Sequence, residues 1–272
     1  MQILNEAEIH ALRYYEGIID AKDKDVFWLD SKAYVTFNSL FFSGLATEIA
    51  RSTEQRRLNT AIALKRQQLL PFATALFSAC TKYRHGLLHV YRVERLVDYR
   101  EFCKCGQVTS FLSTSRCGFL KSYEDKIGLV LMDVEIAPET WCVDLVEMIP
   151  GKKKEEECEV LIAPYSTLQV KELPLPQELA EITDGNGNPA AIYCHVKVEK
   201  GNLQEQSSQL RITKQEEIAV KNVYTALNMH AVLNEEDADR YQRYKTVLQA
   251  QMKNAFATVQ KSIEQSDLSL FG

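Results

Sequence analysis

The stretch Val108-Thr109-Ser110-Phe111-Leu112-Ser113-Thr114-Ser115 decides how the rest of the chain is interpreted. Its β-branched and aromatic residues, uninterrupted by Gly or Pro, predict a half-buried strand over Val108–Ser113. Three consecutive hydroxyl side chains, Ser113, Thr114 and Ser115, stand at the end of this stretch. A hydroxyl at a strand end usually satisfies only a neighbouring backbone group, so its meaning depends on the residues that flank the strand.

An arginine lies upstream of this strand, in a second strand-like run. Arg92 belongs to the run His89–Glu94, in which alternation turns it opposite its two apolar neighbours. An arginine in a strand is most often a surface residue, and Arg84 and Arg95 compete for any functional role. A guanidinium can also grip a phosphate through two parallel hydrogen bonds.

Two carboxylates lie downstream, at the start of a third strand. The charged run Lys152–Glu159 passes directly into the apolar Val160-Leu161-Ile162. Most charged runs are solvated loops. Alternate residues of a strand share a face, so Glu157 and Glu159 are expected to point the same way. Paired carboxylates raise each other's proton affinity and occur mainly where positive charge arrives or develops.

At these positions the sequence resembles the arginine–serine–glutamate class of mono-ADP-ribosyltransferases, which includes clostridial binary toxins and vertebrate ecto-ADP-ribosyltransferases. The resemblance covers roughly residues 5–200 and rests on Tyr91-Arg92, on Phe111–Ser115 preceded by Gly106, and on Glu157–Leu161. It implies an α+β, ADP-ribosyltransferase-like fold in which N-terminal helices precede two roughly perpendicular sheets that enclose an NAD cleft. The function it implies is transfer of ADP-ribose from NAD to an arginine of a target protein, with release of nicotinamide.

The resemblance also implies a role for each motif residue. Arg92 is expected to hold the NAD phosphates, and Ser113 to position Glu159, the catalytic acid beside the ribose. Glu157 is expected to engage the target, and a glutamate rather than a glutamine there favours an arginine acceptor. The expected NAD-binding residues are Arg92, Val93, Ser113, Thr114, Phe119 and Glu159.

The resemblance also implies roles for two loops. Arg116–Tyr123 is expected to close over nicotinamide, with Phe119 as the aromatic residue against it, and Val146–Glu156 is expected to recognise the target. One position departs from the pattern. Many relatives carry glycine directly after the strand arginine, where the backbone reads the nicotinamide amide, whereas this chain has Val93.

Helical patterns flank the predicted sheet. Asn5 with Glu8 predicts a capping box, and Pro71 is expected to open a helix. Near the other terminus, Asn234 with Asp237 is expected to cap a long helix whose apolar residues recur every three or four positions. Such a stripe usually packs in a core, and binding of a partner is the alternative.

Helices followed by short strands predict an α+β domain over residues 1–200, helical in 1–85 and with the sheet in 86–200. Residues 201–272 are expected to form a helical C-terminal extension, which is a candidate for binding a partner. The candidate strands are Leu87–Glu94, Val108–Ser113, Gly128–Ile136, Trp141–Val146, Glu159–Ala163, Thr167–Leu173 and Ala191–Val198.

Composition narrows the classes of function. The chain has 272 residues, a net charge of −5 and a sequence pI of about 5.7, so a nucleic-acid partner is not expected. No apolar run approaches the roughly 20 residues that a membrane span needs. The seven cysteines include Cys103 and Cys105 but no second pair or spaced histidine, which predicts free thiols and no metal site.

Free thiols and the lack of a recognisable secretory signal predict a cytosolic working compartment. For a member of this family, we expect a bacterial toxin or effector that is secreted into a host cell without a cleavable signal. Two alternatives remain. An NAD glycohydrolase would use water as the acceptor, and a non-catalytic interaction module would keep the fold alone. Because Arg92, Ser113, Glu157 and Glu159 are all present, activity is favoured.

Overall fold

The computed structural model describes residues 3–16, 45–54, 56–57, 66–108, 110–123, 126–149, 158–203 and 211–269. The chain divides into two compact units. The sheet unit comprises Met1–Leu4 and Ala79–Asn202, and the helical unit comprises Asn5–Ser78 and Leu203–Gly272.

Helices and strands follow one another in an α+β arrangement, which confirms the predicted class. The helices are α1 (Glu6–Tyr15), α2 (Leu45–Ala50), α3 (Arg66–Lys82), α4 (Leu96–Cys105), α5 (Leu145–Met148), α6 (Lys214–Asn228) and α7 (Glu235–Ser269). The strands are β1 (Leu88–Arg95), β2 (Leu112–Ser115), β3 (Ser122–Tyr123), β4 (Leu129–Ile136), β5 (Cys142–Asp144), β6 (Glu159–Ile162), β7 (Thr167–Leu173), β8 (Thr183–Asp184) and β9 (Ile192–Glu199).

Within the described residues, seven strands form one sheet in the order β5-β6-β2-β1-β4-β9-β7. The sheet consists of two ladders, β5-β6-β2 and β1-β4-β9-β7. Among the residues described, one pair links them, Tyr91 with Ser115. The segment ahead of β2 also pairs with the far edge of the sheet, through a bridge between Gln107 and Thr167. The sheet is therefore curled, with its two ladders meeting at β1 and β2.

The middle of this sheet is its most buried part. In β4, Leu129 to Met132 are fully buried, as expected for a strand with a neighbour on each side. A small parallel sheet, β3 with β8, lies beside the loop that follows β2. Asp184 in β8 holds the backbone N–H of Gly128, at 3.1 Å, and those of Asn186 and Asn188, both at 2.9 Å.

The strand predicted over Trp141–Val146 ends at Asp144, because Asp144 caps α5, which begins at the next residue. Three further predictions about the elements are wrong. The strand predicted from Val108 begins at Leu112, because the backbone of Val108 exchanges hydrogen bonds with Tyr165 and Ser166 instead of pairing with β6. A helix, α4, lies in a region predicted to hold strands, and it ends at Gly106, whose φ of 58° suits glycine. Pro71 lies inside α3, because the helix-favouring residues ahead of it extend the helix back to Arg66.

The helical unit contains α1, α2, α6, α7 and most of α3. The predicted capping box of Asn5 and Glu8 is confirmed, as is the bond from the Asp237 N–H to the Asn234 side chain, at 3.2 Å. Within the described part of the chain, none of the helices combines the length and apolar character needed to cross a bilayer.

The two compact units differ from the predicted domains. The prediction placed residues 1–85 with the sheet, whereas residues 5–78 form one unit with residues 203–272. Apolar contacts explain this grouping, since Phe77 of α3 stacks on Phe256 of α7 with ring centroids 4.3 Å apart. A functional division at residue 200 stays a prediction.

Candidate active site

The curled sheet brings three of the predicted site residues onto adjacent strands. Arg92 lies on β1, Ser113 on β2 and Glu159 on β6, and these strands are neighbours in the order β6-β2-β1. Residues that are far apart in the sequence are therefore placed where the two ladders meet. Glu157 lies outside the described residues, so its place relative to the other three stays a prediction.

Glu159 opens β6 and faces the hydroxyl strand directly. Its partner across the ladder is Ser115, while Ser113 pairs with Leu161. Directly opposed residues of an antiparallel pair share a face, and so do alternate residues of one strand. Glu159, Ser115 and Ser113 therefore lie on one face, each of them half-buried. By register Ser115 has the hydroxyl closer to Glu159, and Ser113 is a diagonal neighbour of Glu159.

Thr114 has the opposite orientation. Its side chain is buried, and its hydroxyl donates to the Val160 carbonyl at 2.7 Å. This bond fastens β2 to β6 and so supports the placement of Glu159. Contact between Thr114 and NAD stays a prediction.

Arg92 joins β1 to the serine strand. Its guanidinium donates to the Ser113 carbonyl at 2.5 Å and forms an ion pair with Glu94. The Nε atom is buried and has no hydrogen-bond partner within the described residues. By strand register Tyr91, rather than Arg92, shares the face of Ser115. Arg92 thus has a clear role in holding β2 in place, and its contact with the NAD phosphates stays a prediction.

Val93, on β1, and Phe119, in the loop after β2, lie close to the same part of the sheet. Both pack on an apolar cluster built on Leu129, Leu131 and Ile182. The Phe119 ring meets Tyr91 edge-on, with centroids 5.1 Å apart. The loop after β2 therefore rests on β1, beside the strand pair that carries Ser115. Contact between Phe119 and nicotinamide stays a prediction.

A charged network that the sequence analysis did not identify lies at the same end of the strands. Arg116 directly follows β2, and its guanidinium contacts Asp144 at 3.1 Å, Glu147 at 3.3 Å and the Tyr83 hydroxyl at 2.9 Å. The Tyr83 hydroxyl in turn donates to Glu147 at 3.0 Å. The sequence contains a signal for part of this network, because Asp144 and Glu147 have the spacing of a helix N-cap and the third residue of the helix.

Asp144 is the most buried of the three charged groups in this network. Its side chain is only 3% exposed, and burial raises its pKa. The backbone N–H groups of Val146 and Glu147 and the charge of Arg116 lower the pKa in opposition. Burial also lowers the pKa of Arg116, but the nearby Asp144 carboxylate makes the net shift a rise. For Asp144 burial outweighs these contacts and the net pKa shift is a rise, whereas for Arg116 the neighbouring acidic groups outweigh burial.

Cys158, between Glu157 and Glu159, has an unusual backbone. Its φ is 42°, in the left-handed region that non-glycine residues rarely adopt. The Arg116 N–H donates to the Cys158 carbonyl at 3.2 Å. Backbone strain of this kind persists where the surrounding structure enforces it, and often at functional sites.

Across the described ranges, no cluster of three or more His, Cys, Asp or Glu side chains is arranged to hold a metal ion. The chemistry available is that of a carboxylate at a strand end, with hydroxyls on the same face and a guanidinium behind them. A carboxylate so placed can stabilise a sugar carbon that becomes cationic.

Comparisons with known proteins give matches among solved structures. No protein family and no curated protein match the sequence. The catalytic domain of VahC from Aeromonas hydrophila aligns with a TM-score of 0.42 and 16% identity over 73% of this chain and 100% of that domain. The ADP-ribosylating toxin BECa of a C. perfringens binary enterotoxin, crystallised with NADH, aligns with a TM-score of 0.39 and 14% identity over 87% of this chain and 58% of the toxin.

Proposed function

We propose that this protein is an NAD-dependent mono-ADP-ribosyltransferase that modifies an arginine side chain of a target protein. The observation that carries the proposal is the placement of Arg92, Ser113 and Glu159 on three adjacent strands, with Glu159 at the half-buried start of β6. NAD is the substrate, and the reaction needs no metal. The target is a protein with an accessible arginine.

The first step breaks the bond between ribose C1′ and the nicotinamide nitrogen. The nitrogen keeps the electron pair, so nicotinamide leaves as a neutral molecule and needs no acid. The ribose becomes oxocarbenium-like, as sugars do in glycoside hydrolysis. The Glu159 carboxylate stabilises that charge, and the Ser113 hydroxyl holds Glu159 in position.

The second step forms a bond between C1′ and a guanidinium nitrogen of the acceptor. A guanidinium is protonated near neutral pH and cannot attack until a proton leaves. Glu157 accepts this proton as the new bond forms. Glu159 thus serves the cleavage of NAD, on which transfer and hydrolysis both depend, and Glu157 serves only the transfer.

The test uses NAD labelled in its adenosine, a cell lysate and the purified chain, beside Glu159→Gln and Glu157→Gln variants. We expect labelled protein with the wild type, and loss of the label on hydroxylamine treatment because arginine linkages are sensitive to it. Glu159→Gln is expected to abolish labelling and NAD hydrolysis, and Glu157→Gln to abolish labelling alone.

Two results would contradict the proposal. Free ADP-ribose without labelled protein would identify an NAD glycohydrolase, with water as the acceptor. No consumption of NAD by the wild type would indicate a non-catalytic interaction module. Delivery into a host cell as a secreted toxin or effector belongs to the proposal, and so does binding of a partner by the C-terminal helices.

A further inference from the structure

The network around Arg116 contacts the chain on both sides of residues 150–157. Ahead of that segment, the Arg116 side chain binds Asp144 at the end of β5 and Glu147 in α5. After it, the Arg116 N–H binds the Cys158 carbonyl. One residue, fixed at the end of β2, therefore contacts both flanks of the segment that leads to Glu157.

Asp144 connects this contact to the backbone of α5. One carboxylate oxygen of Asp144 accepts the N–H groups of Val146 and Glu147, at 2.9 and 3.0 Å, while the other oxygen faces Arg116. Tyr83 approaches from the end of α3 and binds both Arg116 and Glu147. The orientation of α5 thus depends on the Arg116 guanidinium, which offers donors in a fixed planar fork.

Glu159 depends on Arg116 much less. It belongs to β6, which pairs with β2 on one side and with β5 on the other. The contact from Arg116 to Cys158 uses the main chain, so it survives a change of side chain. Substitution of the Arg116 side chain therefore disturbs the flank that precedes Glu157 and leaves the strand that carries Glu159 in place.

We propose that Arg116 is a positioning residue for the transfer step, which fixes the orientation of α5, the described start of the predicted target-recognition loop, through its contacts with Asp144, Glu147 and Tyr83. This inference rests on the proposed function, since it concerns the acceptor side of that reaction.

If the role of Arg116 were purely structural, its loss would lower the stability of the unit and both activities together. The Arg116 and Glu147 side chains are 32% and 49% exposed, and ion pairs with this much exposure contribute about 0–1 kcal/mol to stability. The Asp144 side chain, in contrast, is only 3% exposed, so loss of the guanidinium also leaves a buried carboxylate without its ion pair, and the melting temperature of each Arg116 variant is measured beside its activity.

The kinetic test compares Arg116→Lys and Arg116→Gln with the wild type, using agmatine as a small guanidine acceptor. We expect Arg116→Gln to raise the KM for agmatine or lower kcat of transfer by about tenfold or more, with NAD hydrolysis within about threefold of wild type. Arg116→Lys keeps the charge but not the fork, so its transfer rate is expected to lie between the two. Arg240→Gln, which removes a surface ion pair of α7, is the matched control and is expected to leave both activities unchanged.

Two kinetic outcomes would overturn the inference. Equal losses of transfer and NAD hydrolysis would mean that Arg116 supports Glu159 or the whole unit. Unchanged transfer in Arg116→Gln would mean that the network has no part in the reaction.

A second measurement does not depend on activity. Hydrogen exchange of the backbone amides in 145–149 is expected to accelerate in Arg116→Gln, while the amides of 160–162 keep the wild-type rate. Unchanged exchange in 145–149 would overturn the inference even if the wild type consumes no NAD. That lack of NAD consumption would itself refute only the proposed function.

Discussion

Glu159 is a carboxylate at the point where a buried strand emerges. The three residues that follow it in β6 are fully buried, whereas Glu159 is half-buried. A charge in that place loses part of its hydration, and its interaction with a nearby cationic centre is correspondingly stronger. Position alone thus makes Glu159 suited to stabilise positive charge that develops during a reaction.

The hydroxyl that positions Glu159 can be identified by substitution. We expect Ser113→Ala to lower the rate of nicotinamide release about tenfold to a hundredfold, because a hydrogen bond to a charged group contributes about 1.5–3 kcal/mol. The rate is measured with saturating NAD. The melting temperature is expected to stay within about 2 °C of wild type, since the side chain is half-exposed.

Ser115→Ala is the matched control on the same face. Its hydroxyl accepts the Cys117 N–H at 3.0 Å, so the loop after β2 is expected to lose some order while the rate falls less than in Ser113→Ala. A larger loss of rate in Ser115→Ala would transfer the positioning role to Ser115, which is the direct partner of Glu159 by register.

At the scale of elements, the sequence pattern predicted the bounds of three long strands of the sheet well. Thr167–Leu173 was predicted with its observed bounds, and β4 and β9 within a residue at each end. The start of β2 could not be predicted, because Val108 has the residue type of a strand but pairs with a different edge of the sheet. Pairing partners are a tertiary property that local pattern does not contain.

The helix α4 was missed for a related reason. Arg95, at the N-cap of Leu96–Cys105, makes no side-chain hydrogen bond to the first turn, so no capping motif marks where the helix begins. The helix is held instead by the fold, through the bond from the Leu96 N–H to the Gly128 carbonyl at 2.8 Å. Of its local signals only Gly106 marks the end.

The long helix α7 contains a buried lysine whose titration is measurable. Lys245 is 2% exposed, and Glu48 and the Tyr224 hydroxyl belong to the same unit, bonded to each other at 2.9 Å. Burial lowers the pKa of Lys245 from 10.5 to about 7, and Glu48 opposes this shift. Between pH 7 and about 10.5 the unfolded chain thus holds a proton that the folded chain releases.

The sign of the effect follows from this difference in bound protons. The free energy of unfolding is expected to rise with pH above 7, and Lys245→Met is expected to flatten that rise. Urea unfolding at pH 7 and pH 9 measures it, with the exposed Lys221→Met as control. The same pH dependence in Lys245→Met as in the wild type would contradict the assignment.

At the scale of the whole molecule, the two compact units consist of segments that alternate along the chain. The helical unit combines residues from both ends of the sequence, and the sheet unit lies between them in the sequence. The sequence predicted the helices of the unit, including the capped start of α7, but could not show that residues 5–78 and 203–272 share a core. That grouping depends on contacts between residues that are distant in the chain.

The shared core predicts that the C-terminal helices stabilise the helical unit. Phe256 and Phe77 are fully buried and stacked at an interplanar angle of 7°. We expect Phe256→Ala to lower the free energy of unfolding by about 3–5 kcal/mol, as large-to-small changes in a core do. Urea unfolding measures the loss.

Val232→Ala, at a residue that is 95% exposed in the same unit, is expected to change the free energy of unfolding by less than about 0.5 kcal/mol. An equally small effect of Phe256→Ala would show that residues 203–272 are an appendage after all.

The central claim is that the carboxylate of Glu159 stabilises the ribose of NAD as nicotinamide leaves. Its most direct test is the rate of nicotinamide release by Glu159→Gln, beside the wild type and Glu135→Gln, a carboxylate elsewhere on the sheet. We predict a fall of about a hundredfold or more for Glu159→Gln alone, with an unchanged melting temperature. A rate for Glu159→Gln within about threefold of wild type would contradict the account.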